Sequence, residues 1–347
     1  MAFIFVTVGT TKFDELVRAV DSHEFVEWAR THGFENILIQ RGSGTFTPTS
    51  EIIRFYEFKP SLTEDMAKAG LVVSHAGSGS LIEALELGKK TVVVVNTALM
   101  HNHQLELATK LSQLGLVDVA HGPTELMTAV NASFSRHHSN SSSGQPRHNL
   151  AHVLEEDVSL VRHERNIRMM AVMGSGGHTT EMARAVNGLD FGRYRPRTYV
   201  VAETDSISPH KVAAIEQAHS GTGAGTGTHF VRTIPRSREV GQSWLTTIWT
   251  TLIAFLFSLR LVWRERPDVI LCNGPGTCVP ICIAARIVRL LQWREMKVVF
   301  IESIARVTSL SLSAQILRHF VDVFVVQWPE LKHRFPRSLL RNFFFSL

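Results

Sequence analysis

Cysteine is scarce in this 347-residue sequence, and its three copies are not placed for a disulfide framework or a zinc site. Cys272, Cys278 and Cys282 fall in one apolar stretch, their number is odd, and no CxxC pair or suitably spaced histidine accompanies them. They read as buried free thiols, which favours a reducing compartment. A basic n-region is also missing. The opening run, MAFIFVTVGTTKFDEL, goes straight into a glycine turn, so it reads as a first core strand and not as a cleaved leader. No RNA- or DNA-binding signature is present. The formal charge of +5 therefore suits an anionic partner, phospholipid headgroups or a nucleotide sugar, without selecting nucleic acid. Charged residues are only 19% of the chain against 44% hydrophobic, which fits a globular protein with an unusually apolar portion and room for two α/β domains.

What is present is one pattern written twice. Phe3 to Val20 and Arg168 to Val186 each give an apolar run, a glycine turn and an amphipathic helix, the opening of a parallel α/β unit. Between them, 132–149 is rich in Ser, His and Asn and reads as a solvated linker. The stretch after it predicts a linking helix with Leu150, Val153, Leu154, Val158 and Val161 on one face. Further strands are expected at 36–40, 53–58, 70–75 and 90–96, then at 197–203, 228–234, 269–273, 297–303 and 321–327, with a Gly/Thr-rich surface loop at 219–229. The domains are thus expected at 1–131 and 166–347, joined by 132–165.

The strongest local signal is SHAGSGS, Ser74 to Ser80, between an apolar strand and the helix LIEALELG. Small residues let backbone amides approach a phosphate, and the helix dipole favours negative charge there. Glu83, one turn on, is placed to accept from ribose hydroxyls. The same residues also read as an S-x-x-E capping box from Ser80 to Glu83, and His75 as a core histidine.

HAGSGSLIEALELGKKTVVVVN, the following MHNHQLELATKL and the opening VTVGTTKFDEL resemble the donor-binding domain of the eukaryotic UDP-N-acetylglucosamine transferase of dolichol-linked oligosaccharide synthesis. The resemblance covers roughly 1–130. It implies that Gly9, Thr10, His75, Gly77, Ser78 and Gly79 belong to the donor site, with Glu83 at the ribose and Asn102 and Gln104 at the sugar. HNHQ, 101–104, also reads as a polar helix start.

GSGGHTTE (174–181), ILCNGPGTCVP (270–280), FIESIARVTSLSLS (300–313) and FVVQWPEL (324–331) are similar, in order, to the acceptor subunit of the same family. They are also similar to the bacterial lipid II synthase, in which the halves come in the reverse order. The implied fold is GT-B, two Rossmann-like α/β domains with parallel sheets facing across a cleft. The implied reaction is inverting β1–4 transfer of GlcNAc from UDP-GlcNAc to GlcNAc-diphosphate-dolichol, at the cytosolic face of the endoplasmic reticulum membrane. Other transferases of the pathway are candidate partners. Gly176, Gly177, Thr179, Asn273, Gly274 and Gly276 are expected on the acceptor side. A helix N-terminus disfavours a charged imidazole, so His178 is the candidate base, and Glu302, ending a strand, is the rival. The glycines around Asn273 read equally as a tight turn. With no Asp-x-Asp pair anywhere, no metal cofactor is expected.

WLTTIWTTLIAFLFSLRLVW, 244–263, approaches the roughly 20 residues that span a bilayer. Its Thr247, Thr250, Thr251 and Ser258 gather on one side, with Trp244, Ile248, Leu252, Phe255, Leu259 and Val262 on the other. With Arg260, Arg264 and Arg266 close by, this suits a helix lying in the membrane interface; a buried core helix is the alternative, and a true span comes last because it would put the strands on either side of it across the membrane from each other. The family's acceptor subunit usually has a spanning helix before its first strand. None is expected before Arg168, so anchoring falls to 244–263 or to a partner. The tail after FPRS is expected to lack a further strand. Competing functions are another lipid-linked UDP-sugar transferase and a non-catalytic membrane scaffold. An oxidoreductase is disfavoured because neither turn is a clean GxGxxG.

Overall fold

Short, continuously apolar segments need helices on both faces, and each half of the chain supplies several. The computed structural model describes residues 3–59, 61–96, 103–135, 150, 153–154, 166–220, 228–237, 244–274, 276–341 and 343. They form two compact units, Met1–Gln145 and Pro146–Leu347.

The first unit runs β1 (Phe3–Thr7), α1 (Asp14–Val20), α2 (His23–Thr31), β2 (Ile37–Gln40), β3 (Ile53–Tyr56), α3 (Thr63–Lys68) and β4 (Ala69–His75). It continues through α4 (Ser78–Glu86), β5 (Thr91–Val94), α5 (His103–Gln113), β6 (Asp118–Ala120) and α6 (Leu126–Ser135). Every strand pair is parallel, in the order β3-β2-β1-β4-β5-β6. Successive side chains of β1 alternate between layers. Ile4 and Val6 join Leu16, Val17 and Phe25 of α1 and α2, while Phe5 meets Met66 and Ala84 of α3 and α4. Each of the larger of these side chains contributes roughly 1.5–3 kcal/mol. The Ser22 hydroxyl caps α2 by accepting from the Phe25 amide at 3.2 Å. Trp28 donates to the Asn131 side chain at 2.8 Å, and Phe134 packs edge-on against Trp28. That packing extends α6 to Ser135, so residues 132–135, expected in the solvated linker, finish a core helix. The rest of the expected linker lies outside the described residues.

The second unit runs β7 (Met169–Val172), α7 (Gly177–Asn187), β8 (Arg197–Ala202), α8 (Ser208–Ser220), β9 (His229–Ile234), α9 (Trp244–Glu265) and β10 (Val269–Asn273). Then come α10 (Cys278–Gln292), β11 (Lys297–Ile301), α11 (Leu312–Leu317), β12 (Val323–Val326), α12 (Pro329–Arg334) and β13 (Leu339–Leu340). The sheet is again wholly parallel, ordered β13-β12-β11-β10-β7-β8-β9. Each run expected to be a strand is one, with ends moved by at most a few residues. Two strands are additional. Asp118–Ala120 is too short to show a period. Leu339–Leu340 corrects the expected bare tail: its parallel register with Val325 and Val326 places it at the sheet edge. Of the expected linking helix, the described Leu150, Val153 and Leu154 are buried, while Val158 and Val161 lie outside the described residues. The Gly/Thr-rich stretch begins inside α8, and 221–227 lies outside the described residues.

A buried ion pair organises the second unit away from its glycine turns. Arg197 has no exposed surface and donates to both Glu216 oxygens, at 2.7 and 2.6 Å, and to the carbonyls of Phe191 and Tyr194. Tyr199 donates to the same carboxylate at 2.7 Å. Burial would raise the Glu216 carboxyl, but these partners hold it below the ordinary carboxylate value.

Candidate active site

In a parallel sheet, ligands bind outside the carboxyl ends of the strands where the strand order reverses. In the first unit that point lies between β1 and β4. The turn after β1 carries Gly9 and Thr10, and that after β4 carries Ala76 and Gly77. A polar lattice fixes the first turn. Thr7 donates to Gln40 Oε1 at 2.6 Å, and Gln40 Nε2 donates to the Gly9 carbonyl at 2.6 Å and the Glu57 carbonyl at 2.8 Å. Asn96, two residues beyond β5, donates to the Lys12 carbonyl at 3.1 Å. Asp14 accepts from the Thr45 and Phe46 amides at 2.9 and 3.1 Å. Burial would raise its carboxyl, but those amides and the Thr45 hydroxyl outweigh it and hold it low.

His75 is wedged between the two turns. A Cβ at Gly9, whose φ is +62°, would stand 2.5 Å from its ring, and one at Gly77 would also collide with it. Its Nδ1 lies 3.3 Å from the Thr7 carbonyl, so Nδ1–H is the donor. Burial pushes the ring down to about 4, so it is neutral at physiological pH. The buried ring spaces the two turns that carry the expected donor-site glycines.

Helix α4 starts at Ser78 with Gly77 as its N-cap and no side-chain cap. Ser78, Gly79 and Ser80 are half-exposed, and the first amides of a helix have no partner within it. The expected capping box does not form: Ser80 is already inside the helix, and Glu83 accepts from the Thr63 hydroxyl at the start of α3. Asn102 lies outside the described residues. Gln104 is half-buried in the first turn of α5, and its buried Oε1 has no hydrogen-bond partner among the described residues.

The second unit has its switch point between β7 and β10. Gly174 to Gly176 turn the chain into α7, with Gly176 at φ +63° and Gly177 opening the helix. His178 is brought beside Asn273, the last residue of β10, with Nδ1 and Oδ1 2.8 Å apart. The backbone of Gly274 lies against the same ring. Asn273 donates to the buried Glu181 at 3.1 Å, and Glu181 also accepts from the Ser303 hydroxyl at 2.8 Å and the Ile304 amide at 3.2 Å. Sequence reasoning gave Glu181 no role, although His178 and Glu181 are three apart and share a helix face. Thr179 points elsewhere: its hydroxyl lies 2.6 Å from that of Ser208, whose amide and hydroxyl bond Asp205 at the start of α8. Gly276 stands near Ser237, where a Cβ would be 3.5 Å from its hydroxyl.

Glu302 has no exposed surface. One oxygen accepts from the Ser303 amide at 2.9 Å and the other from the Ser311 amide at 2.8 Å, tying the segment after β11 to the start of α11. Burial raises its carboxyl above the ordinary value. Those contacts make it an anchor for 303–311, while His178 is half-exposed. The three cysteines are buried free thiols. Among the described residues, no group of three or more His, Cys, Asp and Glu is gathered as for a metal ion.

Helix α9 carries a second surface. Its hydroxyl side faces the protein: Thr250 and Thr251 donate to the Ser237 carbonyl at 2.8 and 3.1 Å, and buried Ser258 to that of Ala254. Val262 is buried beside them, with Phe255 and Leu259 packed on the core. Trp249, Leu252, Leu256, Phe257 and Trp263 are exposed, as are Leu290, Leu291 and Trp293 at the end of the neighbouring α10. Trp293 is 96% exposed. Arg260 and Arg264 lie in the same exposed face. No helix among the described residues is long and apolar enough to cross a membrane.

Two Rossmann-like units with wholly parallel sheets in one chain define the GT-B class. Residues 3–158 match the glycosyltransferase family 28 C-terminal domain, and 169–343, about half the chain, match the family described as oligosaccharide biosynthesis protein Alg14 like. The chain belongs to this Alg14-like family, with the family 28 domain ahead of it in one polypeptide. It is 47% identical over 177 residues to the mouse UDP-N-acetylglucosamine transferase subunit ALG14, covering 50% of this chain and 81% of that protein. Against the human subunit the identity is 44% over 176 residues, with 50% and 81% covered. Among solved structures, that of ALG13 is similar at 25% identity and a TM-score of 0.31, over 39% of this chain and 87% of that one. Acinetobacter baumannii MurG matches at 11% identity and a TM-score of 0.24, over 94% and 86%.

Proposed function

We propose that this chain transfers N-acetylglucosamine from UDP-GlcNAc to GlcNAc-diphosphate-dolichol, in one inverting step that forms a β1–4 linkage. The names of the mouse and human relatives supply the donor. The observation that carries the chemistry is the half-exposed His178, hydrogen-bonded through Nδ1 at the switch point of the second sheet. The first unit holds the donor. The turn at Gly77, the amides at Ser78 and Gly79 and the dipole of α4 meet the charge that grows on the departing diphosphate, with Gly9 and Thr10 alongside. Glu83, oriented by Thr63, takes the ribose, and Asn102 and Gln104 the sugar. The second unit holds the acceptor against Gly176, Gly177, Asn273, Gly274 and Gly276, while His178 takes the proton of the 4-hydroxyl. Thr179 supports this loop through Ser208. No step requires a metal.

The exposed apolar side of α9 and the end of α10 support the reading that the second unit lies on a membrane surface, which we assign to the cytosolic face of the endoplasmic reticulum. The pathway's other transferases are the proposed neighbours there, and nucleic acid has no part in it. The test is a radiolabelled UDP-GlcNAc assay on the full chain with a panel of lipid acceptors. Transfer to GlcNAc-diphosphate-dolichol, lost in His178→Ala with UDP-GlcNAc binding retained, is expected. No transfer to that acceptor by folded, donor-binding protein would sink the reading.

A further inference from the structure

The hydrogen bonds around His178 carry one assignment more, which rests on His178 being the base. Glu181 is 1% exposed and lies one helical turn beyond His178. The backbone amide of Ile304, which can only donate, points at Glu181 Oε2, and the Ser303 hydroxyl reaches Oε1. A carboxylate oxygen accepts, so the Asn273 group facing it is the amide nitrogen, 3.1 Å from Oε2. With its nitrogen so engaged, Asn273 presents Oδ1 to His178 Nδ1 at 2.8 Å. An amide oxygen only accepts, so Nδ1 must carry the hydrogen and Nε2 the lone pair. No hydrogen bond joins Nε2 to another described residue, and the backbone of Gly274 fixes the ring from one side.

We propose that Glu181 and Asn273 are positioning residues: Glu181 orients the Asn273 amide, and that amide holds His178 in the Nδ1–H tautomer with Nε2 directed at the acceptor hydroxyl. The atoms then balance without a further reactant. The hydroxyl proton passes to Nε2, and the oxygen's electron pair forms the new bond to the anomeric carbon. The bond from that carbon to the phosphate oxygen breaks, its pair leaving with UDP. The resulting imidazolium keeps its Nδ1–H on Asn273 Oδ1, with the Glu181 carboxyl group directly behind the amide.

The first test uses the unmodified full chain labelled with 15N-histidine. His178 resonances are identified by their absence from His178→Ala, and the ring nitrogens report which one bears the proton. An Nδ1–H tautomer is expected; a proton on Nε2 in the neutral ring overturns the proposal even if the positioning variants fail to fold. The second test is steady-state transfer. Glu181→Gln and Asn273→Ala should each lower kcat roughly 10- to 100-fold and leave the KM for UDP-GlcNAc unchanged, and Glu181→Gln should cost nothing further once His178 is already alanine. If His178→Ala abolishes transfer while both other variants keep wild-type kcat, the positioning role fails and the base stands. If His178→Ala keeps full transfer, the base reading itself fails, and this one with it.

Discussion

The ring of His178 and the backbone of Gly274 are so close that a Cβ built on the glycine would stand 2.6 Å from Nδ1. Gly274 also has φ +63°, a left-handed conformation that costs an L-residue roughly 1–2 kcal/mol. Gly274→Ala must therefore displace the imidazole. Transfer should fall by about 100-fold, as for an ångström-scale misplacement of a reacting group, while calorimetry shows undiminished UDP-GlcNAc binding. Wild-type turnover in this variant would show that ring placement does not matter.

His75 gives the first unit a dependence on pH. Unfolded, it titrates near 6.5; folded, burial holds it at about 4. Between those values the unfolded chain binds a proton that the folded chain does not. Stability is therefore undiminished above about 6.5 and declines as the pH falls toward 4, by up to about 3 kcal/mol. Urea midpoints measured across that window should show a steeper acid loss for the wild type than for His75→Asn. Parallel curves would mean that the ring is not buried neutral.

Glu216→Gln would leave Arg197 charged, fully buried and without its counter-ion. Breaking such a pair by removing one partner typically costs about 3–5 kcal/mol. Denaturant unfolding of the second unit should move by that amount. A shift below about 1 kcal/mol would imply that water reaches the guanidinium.

Leu256→Asp and Leu290→Asp change side chains that are 56% and 75% exposed. Both should lower the fraction of protein that floats with vesicles containing anionic lipid, leaving Tm in vesicle-free buffer unchanged. Equal flotation of both variants and wild type would remove this face from the membrane reading.

The strands were legible because apolar runs such as VILCN and KVVFI have no other home than a doubly covered sheet. The glycine turns were legible because each follows such a run. The pairing of His178 with Asn273 was not, since 95 residues separate them and only the strand order β10-β7 makes them neighbours. Ser80 and Glu83 had the spacing of a cap, but the helix starts at Ser78, and Thr63, from a different helix, took the carboxylate. In α9 the expected apolar side divides, with Val262, Phe255 and Leu259 on the core and Leu252 exposed, while the hydroxyl side also faces inward. A hydroxyl can face inward when a carbonyl such as that of Ser237 is within reach, and composition does not report reach. Leu339 and Leu340 carry no period, so only their alignment beside Val325 and Val326 makes them a strand.

The inward hydroxyls of α9 bear on how the purified chain behaves. A helix that spends its polar groups on its own protein leaves an oily wall toward the buffer. In the absence of an amphiphile, two such walls are each other's nearest remedy. Self-association that grows with concentration and dissolves in detergent micelles would report this wall, and such a dimer should not be taken for the enzyme's working assembly.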